Sequence, residues 1–115
     1  MWIFLSDAFL SIVADKADLS GDRLLVRARR NGDIERVFPE AQVFSVPGAD
    51  YAFRAWLPRA RVAEACVEQI QSLSYANFKD SIDDPAYHDA AMRAWFAMHR
   101  YQAESLHLDQ SSGGF

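Results

Sequence analysis

Three histidines, His88, His99 and His107, are the first side chains to test for chemistry. His88 and His99 lie eleven residues apart, close to three helical turns, so they share a face but stand about 16 Å apart along the axis. With metal–ligand bonds of about 2 Å, one ion cannot bridge them. Asp84 or Asp89 could orient an imidazole for base catalysis, but no glycine-rich turn or evident nucleophile accompanies them. The carboxylate pairs Asp83 with Asp84 and Glu64 with Glu68 suit a hard cation by type alone. An EF-hand needs alternating oxygen ligands, a central glycine and a closing glutamate, and Lys79 to Asp89 has no such series. A lone Cys66 excludes an internal disulfide and a multi-cysteine zinc site, and its helical setting reads as a small apolar core residue. The residues therefore assign no catalytic, metal-binding or cofactor-binding group, and the expectation is a non-enzyme without a cofactor.

The elements that must position these residues can be read from periodicity. Trp2 to Leu5 and Phe9 to Ala14 are aromatic and β-branched runs around Ser6 and Asp7, a tight hairpin. Lys16 to Asp22 is a polar loop. Leu24, Val26 and Ala28 alternate with Leu25, Arg27 and Arg29, a strand with one wet, basic face. Residues 31–38 are ambiguous, because Asn31-Gly32 suits a hairpin turn. Ile34, Val37 and Phe38 fall instead at helical spacing behind a possible Asn31 cap, and a short helix is the favoured reading. After Pro39 an irregular extended piece is expected at Val43 to Val46. Tyr51, Phe53, Ala55 and Leu57 give the clearest strand. A helix from about Arg59 to Leu73 should bury Val62, Cys66, Val67, Ile70 and Leu73.

Asp84-Pro85 is a strong helix start, since the carboxylate accepts a first-turn amide and proline surrenders no needed donor. From there Tyr87, Ala91, Ala94, Trp95, Met98 and Gln102 recur on one face, which predicts the longest helix with Trp95 in the middle of a buried stripe. The pattern fades after about Gln102, and residues 105–115 read as a flexible tail behind a single domain of residues 1–104. The expected fold class is α+β, a small antiparallel or mixed sheet of about four strands with two main helices on one face and one short helix. The strands flanking the short helix would form a right-handed crossover if parallel.

Charge narrows the class of partner. Twelve Lys and Arg against sixteen Asp and Glu give −4, yet residues 1–61 hold nine basic and eight acidic groups and residues 62–115 hold three and eight. An acidic helical half repels a phosphate backbone and attracts a basic surface, although solubility alone also rewards such a surface. Arg27, Arg29, Arg30, Arg54, Arg59 and Arg61 are the one candidate nucleic-acid patch, diluted by neighbouring acids. The apolar start, residues 1–15, lacks a basic leader, carries Asp7 and Asp15 and is too short to span a bilayer, so a cytosolic location without a membrane partner is expected.

The segments MWIFLSDAFLSIV, LLVRAR, DYAFRAWLPR, YANFKDSI and YHDAAMRAW resemble a family of small uncharacterised bacterial and phage-borne proteins, most specifically at Tyr75, Asn77, Phe78, Lys79, Tyr87 and His88. The resemblance spans nearly the whole chain and implies no enzymatic chemistry. By setting, size and acidity it points by analogy to anti-CRISPR inhibitors, which block a CRISPR effector at its basic DNA-binding surface. Arg54 and its neighbours depart from a uniformly acidic nucleic-acid mimic. The expected function is thus a non-catalytic inhibitor whose partner-binding residues are Glu64, Glu68, Tyr75, Asp80, Asp83, Asp84 and Asp89. Its partner would be a protein with a basic surface, a CRISPR effector subunit, with no direct contact to nucleic acid. The alternative is a small enzyme or ligand-binding domain with a pocket near His88.

Overall fold

The computed structural model describes the backbone of residues 1–112 and the side chains of residues 1–108. The chain forms two compact units, Met1–Ala76 and Asn77–Phe115.

The first unit is an α+β sandwich of one sheet and two helices. Its strands are β1 (Trp2–Phe4), β2 (Phe9–Ala14), β3 (Arg23–Ala28), β4 (Phe44–Ser45) and β5 (Phe53–Pro58), and its helices are α1 (Asp33–Val37) and α2 (Arg59–Gln71). The sheet is open and antiparallel throughout, in the order β1-β2-β3-β5-β4. The first hairpin turns as its sequence demands, the Leu5 amide donating to the Ala8 carbonyl at 2.8 Å. There are five strands where about four were expected, because the extended piece at Val43 to Val46 pairs with β5 at Phe44 and Ser45. No crossover forms: β3 and β5 are antiparallel neighbours, Arg23 opposite Pro58 and Ala28 opposite Phe53.

The ambiguous segment is helical, but its cap is Gly32 at φ 95° rather than Asn31. A left-handed residue there is natural for glycine, which has no Cβ to clash. The turn is locked by Asp33, 3% exposed, whose carboxylate accepts from the Phe9 amide at 3.1 Å and from Arg30 and Arg36 at 2.9 Å each. Ile34 and Phe38 of this turn join Leu10, Ile12, Val26, Ala28, Ala55, Leu57, Val62 and Ala65 in one core. These strand residues alternate along β2, β3 and β5, so the core occupies a single face of the sheet.

Helix α2 corrects one expectation. Val62 and Ala65 are buried, but Val67, Ile70 and Leu73 are 51%, 72% and 53% exposed. Only the first part of α2 lies on β5 and β3; its second half borders a cavity instead.

The second unit holds a 3₁₀ turn (Lys79–Ser81) and α3 (Pro85–Ser112). Asp84 caps α3 as its sequence predicts, accepting from the Tyr87 amide at 2.8 Å. The helix continues to Ser112, about 42 Å in all. It thus passes well beyond Gln102 and through the first eight residues of the expected tail; the last three, 113–115, lie outside the described residues. Trp95, expected in a buried stripe, is 43% exposed, and Phe96, Met98 and Tyr101 are more so. Of the two main helices expected on the sheet, only α2 belongs to the unit that contains it. No helix among the described residues is long and apolar enough to cross a membrane.

Candidate functional site

The seven residues expected to bind a partner divide between the two units. Glu64, Glu68 and Tyr75 belong to the first, and Asp80, Asp83, Asp84 and Asp89 to the second. All seven are exposed. Several also serve local structure. Asp84 caps α3, Asp89 pairs with Arg93 at 3.1 Å, and Glu64 stands 3.8 Å from Arg61. The amide of Asp80 donates to the Asn77 side chain at 3.3 Å.

On α2, the carboxylates Glu64 and Glu68 run along one side of an apolar strip. Glu64, Val67 and Ile70 follow one another at three-residue steps along α2, which makes successive members neighbours, and Leu73 lies two residues past the helix end at Gln71. Glu68 is one turn on from Glu64. Beside this strip, a cavity of about 630 Å³ opens between the second half of α2, the β1–β2 hairpin and the end of α1. Its walls are chiefly apolar, with Ile3, Leu10, Phe38, Cys66, Ile70 and Leu73 among them, and Tyr75 stands at its edge. Cys66, expected in the core, is half-buried in that wall. The cavity escaped the sequence reading because helical spacing identifies which residues of α2 are apolar, not whether strands reach far enough to meet them.

At the start of α2, Arg61 donates to Glu40 at 2.5 Å. That bond from the guanidinium holds the Glu40 carboxyl below its ordinary value, and Glu40 in turn raises Arg61. In the β2–β3 loop the Asp18 carboxyl is lowered, first by the hydroxyl of Ser20 and then by the Arg23 amide. Both are local contacts at a loop or a helix edge, and none of these residues lines the cavity.

The histidines stand on α3. His88 is half-buried and its amide donates to the Asp84 carbonyl at 2.8 Å as part of the helix start. His99 stacks on Trp95, ring centres 5.0 Å apart and planes 7° from parallel, while the Lys79 ammonium lies 4.1 Å from the Trp95 ring centre. Such stacks are local supports for exposed rings on a helix. The cavity beside α2 does not include His88. Among the described residues, no group of three or more His, Cys, Asp or Glu side chains could hold a metal ion.

The sheet's second face carries the arginines. A cross-strand row runs Trp2, Ser11, Arg27, Arg54, Phe44, one residue from each strand. Side chains directly opposite in paired strands point the same way, and neither helix of the unit packs there. Arg27 donates to the Ser11 hydroxyl at 2.7 Å, and Arg27 and Arg29 lie over the Tyr51 ring at 4.5 and 4.2 Å. Two residues along β5, Trp56 shares the face and is covered on one side by Arg23 at 4.5 Å. No protein-family model, no curated protein and no solved structure matches this chain, so its function has to be argued from these surfaces.

Proposed function

We propose that this chain is a non-catalytic protein-binding inhibitor that engages a basic surface of its partner. One observation carries the reading: an apolar strip, Val67 and Ile70 of α2 and Leu73 just past its end, remains exposed next to Glu64 and Glu68 and beside an open apolar cavity. A soluble chain seldom leaves large apolar side chains contiguous and uncovered unless something binds there. The apolar strip would supply affinity by excluding water, and the carboxylates would speed encounter and set register.

The particular partner, a CRISPR effector whose DNA-binding groove is occupied, rests on the family resemblance alone. The acidic residues support it only in sign, since they match a basic groove. The mechanism is exclusion of DNA from that groove. The test is a DNA-cleavage assay with purified CRISPR effectors, comparing the native chain with a variant carrying Glu64→Lys, Glu68→Lys, Asp80→Lys, Asp83→Lys and Asp89→Lys. Native inhibition that disappears in the folded variant is expected. Full inhibition by that variant would overturn the electrostatic mechanism, and no inhibition by the native chain would overturn the assignment.

A further inference from the structure

We propose that the face of the sheet opposite α1 and α2 in the first unit binds single-stranded nucleic acid. Along the sequence its arginines look diluted by neighbouring acids. Folding sorts them. The strand register puts Arg27 and Arg54 side by side in the middle of the row that begins at Trp2 and ends at Phe44. Five strands about 4.8 Å apart make that row roughly 19 Å long. Trp2 is 64% exposed, and Phe44 and Trp56 are each 40% exposed. These three rings therefore stand around a basic centre with their surfaces available.

The arginines keep their charge for a ligand. Asp15 pairs with Arg23 at 2.7 Å and Asp50 with Arg54 at 3.5 Å. Arg27 and Arg29, by contrast, donate to neutral oxygens, the Ser11 hydroxyl and the Asp50 carbonyl. Four arginines against two carboxylates leave the face net positive. Both guanidinium groups lie over the ring of Tyr51, itself only 4% exposed. Arg29 is exposed, so its guanidinium, pinned on one side, offers its other side as a stacking plane and its remaining N–H groups to phosphate, whereas Arg27 is half-buried with its Nε buried and contributes charge from beneath. Rings that stack bases, interleaved with arginines that meet the backbone, are the chemistry by which proteins hold single strands. A duplex hides its bases and presents none of those stacking surfaces. The occupant that fits is therefore a single strand.

The test is fluorescence anisotropy of labelled oligouridylate and oligothymidylate, titrated with the full chain at several salt concentrations. Binding that weakens as salt rises is expected. Trp2→Ala and Trp56→Ala should each weaken it by roughly 5- to 100-fold, the range for losing one base–aromatic stack. Trp56→Tyr, which keeps a stacking ring, should restore most of that loss, a rescue that a merely structural role for Trp56 does not demand. Arg29→Gln should reduce the salt dependence, whereas Glu68→Lys on α2 should leave the tryptophan effects unchanged. No binding at low salt would overturn the proposal. So would binding indifferent to both tryptophan substitutions, or tighter binding of a duplex of the same length. Because the tryptophan and Arg29 substitutions lie on the sheet and not on α2, their outcome is independent of the inhibitor reading.

Discussion

Asp33 shows how much one residue can decide. It stands in the first turn of α1 as a buried carboxylate that joins the start of β2 to Arg30 and Arg36. Its removal takes the acceptor from the Phe9 amide and one ion-pair partner from each of Arg30 and Arg36. Asp33→Ala should therefore destabilise the first unit by about 2–4 kcal/mol, read as a lower midpoint in urea unfolding; an unchanged midpoint would mean the carboxylate is dispensable. The contact was not legible in advance, because Asp33 and Phe9 are 24 residues apart and nothing local pairs them. The Asp84 cap was legible, since donor and acceptor are three residues apart on one turn.

Helices and strands differ in how far their own pattern determines burial. A strand's alternation distinguishes its two faces, and Leu10, Ile12, Val26, Ala55 and Leu57 all point into the core as period two requires. For α2 the apolar spacing is equally regular, yet only its first turns find strands beneath them. The consequence is measurable. Replacing Val67, Ile70 and Leu73 by Ser, one at a time, should shift stability by no more than about 0.5 kcal/mol each, as exposed positions do. Phe38→Ala, at 1% exposure, should cost about 3–5 kcal/mol. Urea denaturation of the four variants distinguishes the two classes; equal losses would make the strip part of the core. If the strip is a docking surface, the three Ser variants should also inhibit less while remaining folded.

At the scale of the whole molecule, charge follows the division into units. Residues 1–76 hold nine Lys and Arg against ten Asp and Glu, and residues 77–115 hold three against six, so the excess of −4 divides as −1 and −3. Under the proposed inhibition of a CRISPR effector, reversing Asp80, Asp83 and Asp89 should therefore reduce inhibition more than reversing Glu64 and Glu68, and the cleavage assay with the two variants checks the order. The reverse order would place the docking charge on α2. From the sequence alone came the α+β class, the opening hairpin, the two clear strands, the short helix of residues 31–38, the cap at Asp84 and the acidic second half. Each depends on neighbours within a turn or a pleat, so local periodicity and capping chemistry suffice. Only the tertiary structure decided that β3 and β5 are antiparallel, that a fifth strand closes the edge and that half of α2 stays uncovered. It alone gathered Trp2, Arg27, Arg54 and Phe44 into one row. Strand order and register are set by long-range hydrogen bonds and by which faces meet in the core, and neither is encoded in the spacing of residues along any single segment.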